Sequence, residues 1–326
     1  MIAMNTPPQM GPPRWRPFMT ALLTLWLISS FYGCTTLRDT AKGTVRAVGD
    51  TSRKVAGALT PSGSDVRHKI ALIGTENQPA AGSSEFPAHF HRRLTELLQS
   101  ECRESVVDEA FGDVLKSPPR LASGQADGYA LALMGRPRGL NFFVIGTLSD
   151  VRLMDERTGF WLWKDTRYKI RAVLRVEVID SATGTKALDD TLSDEVVIDE
   201  LRHEQLQAGG ALPFGEIEPV LKRMLPEAGI RICETLGRQP WQGFVVAGGE
   251  GGRITVSSGS AVGLSAGRGL EVYARGSVVE GKDGRRFLQP GERVGEAKVA
   301  SVSSDQAEAV LSQPAAVGPG GTVRLK

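Results

Sequence analysis

"RYKIRAVLRVEVIDSATG", Arg167–Gly184, is the stretch whose reading decides the fold. Tyr168, Ile170, Ala172, Leu174, Val176 and Val178 alternate with Arg167, Lys169, Arg171, Arg175 and Glu177. Successive side chains of a strand point to opposite faces, so a period of two predicts an antiparallel strand with one buried and one wet face. Asp180-Ser181-Ala182-Thr183-Gly184 then supplies a turn whose glycine can take positive φ. Lys186 to Ile198 returns as the partner strand.

Upstream the pattern changes. Ile70-Ala71-Leu72-Ile73, ended by Gly74, and Phe142-Phe143-Val144-Ile145, ended by Gly146, are unbroken apolar runs, which predict strands covered on both faces. Between them Phe86, Phe90, Leu94, Leu97 and Leu98 share one stripe of a helix, with Ser83 or Ser84 as its cap and Pro87 in its first turn. A second, short helix over Gln125–Met134 presents Tyr129, Ala130 and Leu133, completing a βαβ-like opening. A closing helical region, Glu216–Leu236, carries Ile217, Val220, Leu221, Leu225, Ile232 and Leu236, and Pro226 is expected to kink or divide it. After Gln239-Pro240 the composition shifts to Gly, Val and Ser. Short strands at Phe244–Ala247, Arg253–Ser257, Leu270–Ala274, Val294–Val302, Ala307–Leu311 and Thr322–Leu325 suggest a small barrel or sandwich. The expected class is α+β: an α/β domain over 66–238, its mixed sheet covered by helices, then a small all-β barrel-like domain over 239–326.

The amino-terminal segment reads as targeting. Its apolar run, Ala21 to Phe31, is about half of the ~20 residues that a spanning helix needs. Arg14 and Arg16 precede it and small or polar residues follow, the layout of a secretory signal. Phe31-Tyr32-Gly33-Cys34 resembles a bacterial lipobox, in which the cysteine is acylated and becomes the new amino terminus. Phe31 replaces the usual leucine, and Tyr32 is bulky for its place. Thr35, being non-acidic, implies delivery to the outer membrane. The expected division is a signal peptide over 1–33 and a lipidated Cys34 with its tether over 34–65. An ordinary signal or an uncleaved anchor are the alternatives. Leu37, Ala41, Val45, Val48, Val55 and Leu59 recur at near-helical spacing in the tether, which is either an amphipathic helix on headgroups or a solvated spacer.

Composition narrows the function. The net charge of +2 vanishes when Arg14 and Arg16 leave with the signal, so nothing electrostatic points to nucleic acid. The chain is 41% hydrophobic and 23% charged, as globular proteins are. With Cys34 acylated, Cys102 and Cys233 remain, in a compartment where thiols oxidise. They form either one disulfide or two separate buried thiols.

Chemical motifs fare poorly. Gly263-Leu264-Ser265-Ala266-Gly267 has the spacing of a nucleophile elbow, but no histidine follows Ser265 and the surroundings read strand-turn-strand. His89 and His91, two apart on a helix, point about 200° from one another and cannot share a metal. His68 and His203 stand alone, so surface histidines are expected, with no metal and no cofactor. Gly248–Gly252 lacks the lysine and helix of a phosphate cradle. Asp189, Asp190, Asp194, Glu195, Asp199 and Glu200 read as a solvated face. Val151–Lys164 has apolar ends and a charged centre, which suits a soluble hairpin, and no long alternating hairpin of the membrane-spanning kind is evident. Phe160, Trp161, Leu162 and Trp163 are the densest aromatic cluster, serving either core packing or contact with a partner.

Three segments carry a family resemblance: Lys69-Ile70-Ala71-Leu72-Ile73, Leu140-Asn141-Phe142-Phe143-Val144-Ile145-Gly146-Thr147, and Val178-Ile179-Asp180-Ser181-Ala182-Thr183-Gly184. In order and spacing they resemble the α/β unit shared by the amino-terminal domain of the translocation protein TolB, the curli-secretion lipoprotein and the middle domain of flagellar assembly protein T. Gly252–Val256, Gly259, Gly263-Leu264, Gly267, Leu270–Tyr273 and Val294–Val299 are similar to the small β domain that ends flagellar assembly protein T. Where that family has a further amino-terminal domain, this chain has the anchor and tether. The resemblance implies a non-enzymatic outer-membrane lipoprotein facing the periplasm, held to the bilayer through Cys34. It would contact envelope or flagellar proteins, or copies of itself in a ring. A secretion component like the curli channel is the alternative; an envelope hydrolase would need a nucleophile paired with a base, which the chain does not offer.

Overall fold

In the computed structural model the apolar runs become the sheet that the pattern predicts. Residues 65–76, 85–115, 117–160, 163–209, 212–281, 284–313 and 315–326 are described. Cys34, the tether as far as residue 64 and both capping serines, Ser83 and Ser84, lie outside them. The helix they were to cap, α1 (Phe86–Glu101), has Glu85 at its N-cap position with no side-chain cap, and Pro87 in its first turn. β1 (His68–Glu76) lies between β2 (Ser105–Val107) and β3 (Phe142–Phe160), parallel to both; β4 (Trp163–Asp180) and β5 (Lys186–Ile198) extend the sheet antiparallel in the order β2-β1-β3-β4-β5.

The two strand types bury themselves as their periods require. Ile70 and Leu72 of β1 point to one core, with Phe142 and Val144 of β3, while Ala71, Ile73, Phe143 and Ile145 point to a second core on the opposite face. β4 sends Ile170, Ala172, Leu174, Val176 and Val178 into the first core; of its alternates Arg167 is exposed, Lys169, Arg171 and Arg175 are half-exposed, and Glu177, expected on the wet face, is buried beneath Arg175 and Lys186, which pair with it. That first face is covered by α1 and by α5 (Phe214–Gly237). The second lies under α2 (Glu109–Val114) and α3 (Gly128–Gly135), through Phe111 and Leu131. α4 (Glu200–Gly209) sits between β5 and α5 in the chain.

Several expectations need correction. α3 buries Leu131, Ala132 and Gly135, whereas Leu133 is 48% exposed, so the anticipated stripe through Tyr129 and Leu133 is the outward one. Pro226 does not divide α5, which runs unbroken through both Pro219 and Pro226. Pro219 is exposed and Pro226 half-buried, and the carbonyls that lose donors belong to exposed Gly215 and Lys222, where water can serve them. The hairpin is long: β3 has 19 residues and β4 has 18. A register shift between Leu148 and Asp150 moves the alternation by one residue, which disguises one strand as two in the sequence. Beyond Glu156 and Arg167 it continues as a two-stranded arm, and both of these residues are exposed.

After α5 the chain closes a six-stranded barrel in the order β11-β12-β7-β6-β13-β8. The strands are β6 (Gln242–Gly248), β7 (Arg253–Val256), β8 (Gly269–Tyr273), β11 (Arg293–Val302), β12 (Ala307–Leu311) and β13 (Thr322–Leu325). β12 shows why alternation found them: Ala307, Ala309 and Leu311 are buried, Glu308 and Val310 exposed. A separate two-stranded hairpin, β9 (Val278–Glu280) with β10 (Arg286–Leu288), is too short for any period to show. The fold is therefore α+β, a helix-covered mixed sheet joined to a closed barrel, and both belong to one compact unit, Ser64–Lys326.

Candidate functional site

The residues singled out by sequence come out unevenly. Cys34, Trp161 and Leu162 lie outside the described residues. Phe160 and Trp163 close the β3–β4 hairpin as backbone partners at the tip of the arm. Cys102 terminates α1 as its C-cap and is buried; Cys233, on α5, is half-buried against the same core. Both are free thiols within hydrogen-bonding reach of each other: the bond from Cys233 holds the Cys102 thiol below its ordinary pKa, and that of Cys233 is raised in turn.

The acidic row of β5 is not simply solvated. Arg175 donates to both carboxylate oxygens of Asp189, at 2.8 and 2.7 Å, and the pair draws the Asp189 carboxyl down to about 2. Asp190 meets Arg231, and Asp194 meets Arg223 at 2.6 Å, so α5 is clasped to the strand. The neighbouring strand and helix, not the sequence run itself, supply these cations.

The surface-histidine expectation also fails. His68 and His89 are buried, at 5% and 6% exposure. His89 packs edge-on against Phe214 at 5.0 Å, and burial lowers its pKa. His68 packs edge-on against Phe142 and places Nε2 3.2 Å from the Gln239 carbonyl; burial drags its pKa down to about 4. His203 lies against the ring of Tyr168. Among the described residues no group of three or more His, Cys, Asp or Glu could hold a metal. The Gly263–Gly267 stretch is a turn, its first glycine at φ 92° and its last at 85°.

What the sequence did not disclose is the seam between sheet and barrel. Asn141, 3% exposed, accepts from the Lys69 backbone at 2.9 Å through Oδ1 and donates to the Gln242 carbonyl through Nδ2. Ser257 of the barrel donates to the Arg136 carbonyl at 2.7 Å, and Val66, just ahead of β1, is buried in the barrel core. Gly139, at φ +73°, lets Ser257 approach so closely that a Cβ there would fall 1.7 Å from its carbonyl oxygen.

Along this seam lies a cavity of about 290 Å³, whose walls include Tyr129, Leu133, Phe244, Leu288, Arg136 and Arg275. Arg136 spends Nε and Nη2 on the carbonyls of Ser181 and Ala182, and its guanidinium stands 5.3 Å from the Phe244 ring centre. Burial lowers its pKa, the Asp180 carboxylate raises it, and the like charge of Arg275 lowers it again. Asp180 is engaged elsewhere, by the Ala182 amide and the Thr183 hydroxyl, both at 2.8 Å. Arg286 stands over Tyr129 at 4.4 Å. Among the described residues no carboxylate is within ion-pair distance of Arg136, Arg275 or Arg286.

The geometry thus defines a class, an α+β unit with a helix-covered sheet, a docked barrel and a cationic seam. No protein-family model matches the chain, and no curated protein matches it in sequence. Solved structures resemble about half of it. A hypothetical protein from Chlamydia trachomatis is 13% identical over 52% of this chain and 98% of that one, with a TM-score of 0.32. A minor lipoprotein from Acinetobacter baumannii is 12% identical over 52% and 91%, with a TM-score of 0.25. A lipoprotein from Neisseria meningitidis is 11% identical over 44% and 94%, with a TM-score of 0.24. Likenesses at these scores assign no function.

Proposed function

We propose that this protein is an envelope lipoprotein, anchored through acylated Cys34 to the periplasmic face of the outer membrane, and that it works by binding other proteins and catalyses no reaction. The observation that carries the reading is the apolar run ending on Phe31-Tyr32-Gly33-Cys34-Thr35, too short to span a bilayer and placed just ahead of a tether. Acyl chains hold a protein on a bilayer without crossing it, which leaves the folded unit free to dock. The finer reading, assembly of the flagellar basal body, rests on the residues that resemble flagellar assembly protein T. The aromatic tip Phe160–Trp163 is its proposed contact, either with an envelope partner or with another copy in a ring. A secretion-complex role gains support from the length of the β3–β4 hairpin. Arg157 and Asp165, which sit on alternate faces of the arm, nevertheless place charge on both of its sides, which is unsuited to lipid.

The anchor is tested by Cys34→Ser. The variant should lose labelling by radioactive palmitate and leave the membrane fraction, or accumulate uncleaved; unchanged labelling and extraction would refute it. Co-isolation with purified basal bodies supports the flagellar role. Conductance of the purified protein in planar bilayers would replace it with the secretion role.

A further inference from the structure

We propose that the seam cavity is a docking site for an acidic peptide segment of a partner protein, one that buries a large apolar side chain in the cavity and places flanking carboxylates on Arg136, Arg275 and Arg286. Three features of the seam converge on that ligand. The first is positive charge: Arg136 and Arg275 line the cavity, Arg286 stands over its Tyr129 wall, and no described carboxylate lies within ion-pair distance of any of them. Arginines elsewhere on this unit are ion-paired on the sheet and the long helix, as Arg175, Arg202, Arg223 and Arg231 are; what sets these three apart is their place beside an apolar cavity. Arg275 is close enough to repel Arg136, which the Asp180 carboxylate offsets while itself bonded to the Ala182 amide and the Thr183 hydroxyl; an arriving anion would add to that attraction.

The second is shape and wall chemistry. A cavity of about 290 Å³ walled by Tyr129, Leu133, Phe244 and Leu288 accepts one or two apolar side chains. Around it the surface is apolar as well: Leu133 is 48% exposed, and Val278 and Val279, which pair with Leu288 and Phe287, are each 46% exposed. Apolar area left outside a folded unit and bordered by charge is the usual composition of a protein contact.

The third separates a carboxylate from a phosphate. The cations are all arginines, whose planar fork matches carboxylate and phosphate alike, so the helix terminus beside them is what tells the two apart. Arg136 already has two of its donors committed to backbone carbonyls, which fixes the fork while leaving Nη1 for a ligand. The neighbouring helix terminus that would ordinarily seat a phosphate is closed, because Asp127 caps α3 by accepting from the Ala130 amide at 3.1 Å. A phosphate there would meet that carboxylate. The inference concerns the folded unit and stands whether or not Cys34 carries lipid.

The test uses the purified full chain and an array of fluorescein-labelled peptides, Asp-Glu-X-Glu-Asp with an amidated end, in which X is each apolar or aromatic residue in turn. Saturable binding by fluorescence anisotropy is expected for large X. It should weaken with added salt and be absent for Asn-Gln-X-Gln-Asn. Arg275→Glu, at an exposed position with no described partner, should cost at least about tenfold in affinity without changing the circular dichroism spectrum. Leu133→Asp should weaken binding by a similar factor. Absence of binding across the array overturns the proposal, as does equal affinity in Arg275→Glu. Binding of phosphatidylglycerol vesicles that is lost in Arg275→Glu while no peptide binds also overturns it, in favour of a lipid site.

Discussion

Acidification reads the joint between sheet and barrel, because His68 is buried there as a neutral ring. Nε2 lies 3.2 Å from the Gln239 carbonyl, and Nδ1 is buried without a partner. The neutral ring with its proton on Nε2 satisfies that bond; a second proton would create a buried charge whose desolvation outweighs what the Gln239 and Leu236 carbonyls offer it. Burial accordingly moves the pKa from 6.5 to about 4. The unfolded chain takes up the proton near pH 6.5 and the folded chain only near 4, so stability is intact above 6.5 and falls as the pH drops through that window. At about 1.36 kcal/mol per tenfold change in proton affinity, the loss approaches about 3 kcal/mol by pH 4. That is a large share of the roughly 5–15 kcal/mol that holds an ordinary domain together. Urea unfolding, followed by tryptophan fluorescence to which buried Trp241 contributes, should be run in steps from pH 7 to 4 on the native protein and on His68→Gln. The variant keeps an N–H donor for Gln239 and does not titrate. The native protein should lose about 3 kcal/mol more than the variant over that range, starting near pH 6.5. Parallel profiles, or an NMR titration near 6.5 in the folded protein of the imidazole signal that His68→Gln removes, would refute the reasoning.

Two further outcomes follow from the same packing. Gly139→Ala should destabilise by about 3 kcal/mol or more, measured by the urea midpoint, since it adds left-handed strain to a clash with the Ser257 carbonyl; Gly124→Ala, with similar φ and open space, should cost only about 1–2 kcal/mol. Cys102 and Cys233, free but adjacent, should join when the purified protein is treated with a mild oxidant, leaving no titratable thiol in denaturant and a mass lower by two hydrogens; two thiols surviving that treatment would show that they cannot meet.

Much of this protein was determined by residues close to one another in the chain. The unbroken run Ile70–Ile73, the alternation from Tyr168 to Val178 and the turn at Asp180–Gly184 specify strand, face and connection locally, and the structure realises each of them. Ala307–Leu311 and Thr322–Leu325 emerge with the bounds their period predicts. Local pattern failed where a second segment decides the outcome. β2, β9 and β10 are three residues long and exist only because a neighbouring strand completes their hydrogen bonds. α3 carries apolar residues on two sides, and only the sheet beneath determines that Leu131 goes in and Leu133 stays out. His68 is neutral because segments distant in the chain bury it, among them Gln239, whose carbonyl it meets across 171 residues. The cationic seam likewise draws Tyr129 and Arg136, Phe244, Arg275 and Leu288 from separate segments. Burial and uncompensated charge belong to groups of residues meeting in space, and no sequence window short enough to show a period contains them.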